Sequence, residues 1–393
     1  VGDWNLEIIF YILILVIILL LVYLLKNKNI LVTIICSLLI LQIIAAPKIC
    51  IDGAISGALL FFYKVFPSLF SFLIVSNIIL SYDGIYIYSK ILGTALCKPL
   101  KLPKSCSFVL IISVLCGYPL GAKYACDLYE GNIIDLKTCE RLLNIASNAS
   151  PLFILGSVGI SMLKSPLIGY ILLLSNLLSC IAMGFIMPGK MTYKKNAPEK
   201  IHIYSNMNIG NVLKSSVENS IKTCLSIGGF VTAFSVINSI LKNNYLFSTL
   251  MHKISNILHL SKDIVEGSFL GIIEMTNGCN LVSSSSASLF TKIAIVSFLF
   301  TFSGLSIICQ VYSFTYKFDI SMKKYILGKV FQGLTCSIIS LLLYNICTFN
   351  FSKQTFTYNY SINANIENIF IATVLILVFP WLFFKIKNLL HLS

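Results

Sequence analysis

Apolar residues in this chain gather into long unbroken runs, without the one-sided stripes of a water-soluble helix. Ile8–Leu25 (IIFYILILVIILLLVYLL) carries no charge and meets the ~18-residue length of a spanning helix. Further runs cover roughly 30–46, 54–81, 167–187, 220–241, 289–316, 326–347 and 368–384. Between them lie shorter apolar pieces near 86–97, 105–116, 151–163 and 264–275, punctuated by Gly, Pro or Asn. Such lengths fit re-entrant or broken helices better than full spans. The pattern predicts an all-α polytopic membrane protein. The first run is expected to be a retained membrane helix, with a signal-anchor role as the alternative. No small-residue cleavage pattern follows it, only Lys26 and Lys28.

Composition agrees with a lipid solvent. Of the 393 residues, 57% are hydrophobic and 11% are charged, against about 25% charged in soluble domains. The net charge of +14 would suggest nucleic acid in a soluble protein. Here it reads as cytoplasmic loops, with no nucleic-acid partner. Lys190, Lys194, Lys195 and Lys200 cluster in one loop, Lys317, Lys323 and Lys324 in another, and Lys385 and Lys387 follow the last run. The positive-inside rule puts these three regions in the cytoplasm, with polar 350–367 and the N-terminus outside.

Chemistry-bearing clusters are scarce. Thirteen cysteines are scattered with no C-x-x-C and no Cys/His cluster, so they read as small membrane-core residues, with no metal site expected. Histidines 202, 252, 259 and 391 fall in apparent loops or ends. No G-x-x-x-x-G-K-[ST] loop is present, which argues against an ATP-driven pump. No nucleophile–base constellation stands out, so neither an enzyme nor a cofactor is expected.

The chain repeats itself. At an offset of 161 residues, 107–117 (SFVLIISVLCG) aligns with 268–278 (SFLGIIEMTNG), matching Ser107/Ser268, Phe108/Phe269, Ile111/Ile272, Ile112/Ile273 and Gly117/Gly278. The same offset places Asn77 on Asn238 and Leu80 on Leu241. With a shorter offset the SNASP break at 147–151 faces SGLS at 303–306. Two halves with corresponding interrupted segments point to a transporter binding site.

A helix that stops at bilayer depth exposes main-chain polar groups that hydrocarbon cannot satisfy, so breaks survive only inside protein or beside a wet cavity. Breaks are expected at Gly117, Pro119, Gly121, Pro151, Gly278 and Gly304, with helices resuming at Pro119, Pro151 and near Leu305. Their N-terminal ends attract anions. Lys123 divides evenly between a snorkelling lysine and a substrate contact. Arg141, the single arginine, sits beside Leu142 and Leu143 and leans towards binding a carboxylate. Asp135 and Lys137 read as a solvated helix face. Glu274 stands in an apolar stretch with no basic neighbour in sequence, so it is expected to be protonated or paired. It pairs structurally with Lys123, or it couples H⁺ or Na⁺ together with Thr276 and Asn277. Asn148, Ser150 and Gln310 add polar groups at the breaks.

The stretches CGYPLGAKYACDLYEGNI, CERLLNIASNASPLFILGSVGISM, IGGFVTAFSVI, GIIEMTNG and FSGLSIICQVYSF resemble the sporulation integral membrane proteins of the YlbJ type, within the nucleoside-recognition Gate superfamily. The resemblance runs from about Gly53 to Leu343. The family commonly reads SGYP and NSGPLF where this chain has Cys116 and NASPLF. The resemblance implies two Gate-like repeats similar to concentrative nucleoside transporters, with 1–52 as N-terminal helices, 53–187 as the first repeat, 188–216 as a basic cytoplasmic loop, 217–325 as the second repeat, and 326–393 as C-terminal helices. It also implies a place in the outer forespore membrane during endospore formation, and movement of dipicolinic acid, an aromatic dicarboxylate. On that reading Lys123 and Arg141 contact the carboxylates, while Asn148, Ser150, Asn277 and Gln310 supply hydrogen bonds. Glu274 and Thr276 set coupling or gating. A symporter for nucleosides or other small solutes, a non-transporting scaffold and a homo-oligomer stay open.

Overall fold

A computed structural model describes residues 28–187 and 208–351. The runs at 8–25 and 368–384, the lysines at 190–200, 385 and 387, and polar 352–367 lie outside the described residues, as do His202 and His391. Among the described residues the secondary structure is helical, with no strand.

The helices are α1 (Lys28–Ala45), α2 (Pro47–Leu60), α3 (Phe66–Ser81), α4 (Gly84–Ile91), α5 (Gly93–Cys97), α6 (Ser107–Cys116), α7 (Leu120–Glu130), α8 (Leu136–Ile145), the π-helical α9 (Leu152–Met162), α10 (Pro166–Ile186), α11 (Ile209–Lys242), α12 (Tyr245–Leu258), α13 (Lys262–Ile273), α14 (Met275–Ser284), α15 (Leu289–Phe302), α16 (Gly304–Thr315) and α17 (Met322–Phe351). Four stretches are long and apolar enough to cross a membrane: α10, α11, α15 with α16, and α17. The number rises to six if each of two sharply bent pairs counts as one span. The chain is an all-α polytopic membrane protein. Outward apolar side chains such as Leu225, Leu327, Phe331 and Ile338 face what would be lipid.

Two long rods organise the molecule. A π-turn, Phe61–Val65, joins α2 to α3 without ending the helical path, and α11 is the other rod. At the 161-residue offset Pro47 falls on Asn208, the α11 cap, Ser81 on its last residue Lys242, and Gly84 on the first residue of α12, Tyr245. The rods run antiparallel. Gly53 meets Val236 and Ser239, Gly57 meets Thr232 and Ser235, Phe61 meets Gly228, and Asn77 donates to Ser220 at 3.2 Å. Small residues let the two backbones approach closely, which is how membrane helices associate without a hydrophobic driving force.

After each rod, and after two short helices in the first half (α4, α5) or one in the second (α12), the same order recurs: a hairpin (α6–α7, α13–α14), an interrupted helix (α8–α9, α15–α16) and a long helix (α10, α17). Arg141 holds the last carbonyls of α10, and its neighbour Glu140 accepts from the Ser321 amide just ahead of α17 at 2.9 Å. So α10 ends where α17 begins, and these counterparts run in opposite directions. Both loops that the lysines assign to the cytoplasm leave from this one end.

Three elements differ from the hydropathy reading. α11 starts near 209, well before the apolar run at 220. Asn208 caps it by accepting from Gly210 N at 3.1 Å, and Lys214 and Glu218 pair along its polar first turns. His252 lies inside α12 on an exposed face and not in a loop. Gly121 and Gly278 are not breaks. Both sit within helices, where a Cβ would meet Ala146 O at 1.9 Å or Gly271 Cα at 2.1 Å, so each marks a close helix crossing.

Candidate functional site

Each hairpin folds back on itself. In the second, Gly271 faces Gly278 and Gly267 faces Leu281 and Val282, so α13 and α14 are antiparallel and turn at Glu274. Glu274 is extended and caps α14: its Oε1 accepts from Thr276 N and its Oε2 from Asn277 N, both at 2.9 Å. An acidic cap suits the positive end of a helix. The second break, at Ser303–Gly304, rests on this tip. Gly304 has φ +74°, and its Cβ position lies within 3.1–3.3 Å of the carbonyls of Gly271, Ile272 and Ile273.

The first hairpin does the same with its own broken helix. Gly117 has φ +78°, and a Cβ there would lie 2.5 Å from Ser150 N, so only glycine lets the tip sit on the 147–150 break. Tyr118 N donates to Asn148 O at 2.7 Å. The Tyr118 hydroxyl then crosses to the second half, donating to the Phe300 carbonyl and lying 3.3 Å from the Met275 sulfur.

Between the two tips and the two breaks lies a cavity of about 250 Å³. The starts of four helices open onto it: α7 at Pro119, α9 at Ser150 and Leu152, α14 at Met275, Thr276 and Asn277, and α16 at Ser306. Polar groups come in helical pairs, Ser157 with Ser161 and Ser306 with Gln310, joined by Asn277 and Asn280. Apolar walls come from both rods, through Leu69, Ile227 and Val231. Among the described side chains, Glu274 is the charged group of the lining, and no lysine or arginine reaches it.

The structure therefore brings together Ser150, Glu274, Thr276, Asn277, Gln310 and Pro119, and leaves other expected residues elsewhere. Lys123 pairs with Asp127 one turn on, at 2.9 Å, and lies over the Tyr124 ring. It does not reach Glu274, which is satisfied by main-chain amides. Arg141 is buried and caps main chain: Nε donates to Met187 O and Nη1 to Lys101 O, each at 3.0 Å, and Nη2 to Gly184 O at 2.5 Å. Its fork is consumed by two carbonyls at the end of α10 and one, Lys101 O, ahead of α6. Asn148 lies behind the first break, where its side chain contacts Ser113 and Cys180. Asp135 caps α8 by accepting from Thr138 N at 3.0 Å.

Sequence reasoning missed Tyr118, whose aromatic character blended into its neighbours, and the α9 serines. It also missed Lys329. This lysine is fully buried inside α17, donates to Ser147 O at 3.0 Å and Gln332 Oε1 at 2.9 Å, and lies over the Tyr118 ring. A cation within the 326–347 run was the available signal.

Comparison with known proteins supplies the kinship. Over 341 residues the chain is 27% identical to the sporulation integral membrane protein YlbJ of Bacillus subtilis (strain 168), covering 81% of this chain and 83% of that protein. The chain is a relative of YlbJ. The resemblance carried by the CGYP, SNASP and EMTNG stretches thus extends through both halves of the chain. No family model matches it, and no solved structure does.

Proposed function

We propose that this chain is a carrier or facilitator that moves dipicolinic acid across the outer forespore membrane during endospore formation, without ATP hydrolysis of its own. The observation that carries the reading is the convergence of four helix starts on one small cavity, whose largely apolar wall is set with a few polar groups. Three of them, α7, α9 and α16, have no acidic residue in their first turn. Each start presents the positive end of its helix, about half a charge, with Ser150 Oγ accepting from Phe153 N at 3.3 Å at α9. Two or three such ends suit a dicarboxylate as well as the side-chain cations expected from sequence, which lie elsewhere. Ser150, Asn277 and Gln310 are placed to hydrogen-bond carboxylate or ring nitrogen. The volume sits just below the ~300–1,000 Å³ common for ligand pockets, which fits a one-ring solute.

Glu274 and Thr276 take the coupling or gating role in this proposal. The Glu274 carboxylate spends its charge on the α14 amides, and a proton or Na⁺ there would lower its repulsion for an incoming acid. Kinship to a sporulation integral membrane protein supports the forespore setting, and the antiparallel counterparts agree with the inverted repeats common in carriers. A Gate fold like that of concentrative nucleoside transporters belongs to the same proposal. A second reading, a symporter for nucleosides or other neutral solutes, is favoured by one observation: the charged lining is a carboxylate.

The test is uptake of labelled dipicolinate into proteoliposomes holding folded, purified protein. Uptake above empty vesicles, reduced several-fold by S150A, N277A and Q310A, is expected. Absence of uptake refutes the proposal, competition by nucleosides but not dicarboxylates moves it to the second reading, and indifference to all three variants favours a scaffold.

A further inference from the structure

Lys329 has no part in the carrier scheme above, yet it is a cation sealed inside the second half. It is fully buried, and no carboxylate lies within ion-pair distance among the described residues. An ammonium in an apolar interior is costly unless oxygen ligands replace its water. Its ligands are the Ser147 carbonyl, the Gln332 amide oxygen and the Tyr118 ring face, whose centroid is 5.5 Å from Nζ. Ser147 follows the last turn of α8, so its carbonyl belongs to the negative end of an interrupted helix. A half-helix carbonyl end with a neighbouring amide oxygen and an aromatic face is the kind of shell that takes a monovalent cation.

The shell is built rather than incidental. Tyr325, one turn before Lys329, bonds the Ser147 hydroxyl at 3.0 Å. Gly328 lets α17 approach α8, since a Cβ would stand 2.0 Å from Asn144 Oδ1. Gln332 is itself fixed by its contact with Cys180 at 2.9 Å. The second break, by contrast, is met from α10 by a neutral amide: Thr301 donates to Asn176 Oδ1 at 3.5 Å.

We propose that the Lys329 ammonium is a tethered cation that fills the ion position of the first break, so that no sodium is needed there. The consequence for transport rests on the carrier reading; the site itself does not. Melting of the purified chain, which needs no substrate, separates the two. E274Q, which removes the carboxylate that could hold sodium in the cavity, should melt at the same temperature in sodium, potassium and choline chloride at equal concentration. K329A should melt lower in choline and recover several degrees in sodium, potassium or ammonium chloride, whereas K329M, which fills the space with an apolar end, should not recover. A sodium-specific rise in E274Q, indifference of K329A to all salts, or equal recovery of K329M overturns the proposal. If K329A does not accumulate, the E274Q comparison alone decides. Should the cation response appear while dipicolinate uptake fails, only the substrate assignment falls.

Discussion

Replacing Gly278 by alanine tests the hairpin crossing that sets the second tip. In an isolated helix the change is favourable by about 1 kcal/mol. Here the new Cβ would stand 2.1 Å from Gly271 Cα, 2.6 Å from Gly271 N and 2.7 Å from Gly267 O. All three are main-chain atoms, so no rotamer change relieves them. Comfortable carbon contacts begin near 3.5 Å, so α13 and α14 must part by roughly 1.5 Å. Overpacking of this kind costs about 1–3 kcal/mol, and the lost α13–α14 contacts add to it. The sign is therefore destabilising, and a melting point several degrees below wild type is expected from heated, detergent-solubilised protein followed by size exclusion. Gly229→Ala is the internal control, because nothing lies within 4 Å of its Cβ position. It should melt at or slightly above wild type. Gly278 sits one turn from Glu274, so dipicolinate uptake by G278A should fall further than its folded fraction. If G278A melts with G229A, the antiparallel crossing is wrong.

Arg141→Ala strands the carbonyls of Lys101, Gly184 and Met187, each worth about 1–3 kcal/mol when buried and unpaired, so folded yield should drop sharply. Lys123→Ala breaks a helix-face ion pair worth at most ~1 kcal/mol and should leave melting and uptake near wild type; loss of uptake from folded K123A would return that lysine to the site. Cys116 borders the cavity, so a small methanethiosulfonate should block uptake, dipicolinate should slow the block, and C116S should resist it. Block of C116S at the wild-type rate would place the sensitive thiol elsewhere.

Much of this architecture is legible in the chain because membrane folding leaves visible marks. Proline and glycine at helix breaks, and a lone acid in an apolar stretch, are costs that persist only for a reason. Gly117, Pro119, Pro151 and Gly304 announce the tips and breaks, and Glu274 announces the cavity. The 161-residue offset holds through both rods. It then drifts, because the first hairpin turns at 117–119 and the second at 274, four residues before the aligned Gly278. Arg141 misled for a physical reason: a guanidinium fork donates to three carbonyls as readily as to a carboxylate, and nothing in sequence shows the end of α10 returning to it. Lys329 vanished into the average of a 30-residue helix, where one charge among many apolar residues scarcely moves the mean.

The Tyr118 phenol spans from the first tip to the Phe300 carbonyl, the last turn before the second break. Among the described residues no other tip side chain hydrogen-bonds from the first hairpin to α15. Moving either half outward by more than an ångström or so severs that bond, and the exposed carbonyl must then find water or an occupant. At the tips the two halves are latched by this phenol, apart from the rod packing and the Ser147–Tyr325, Lys329–Ser147 and Glu140–Ser321 contacts elsewhere. Under the proposed carrier reading, a solute that enters from one face must prise it loose before the opposite face can yield.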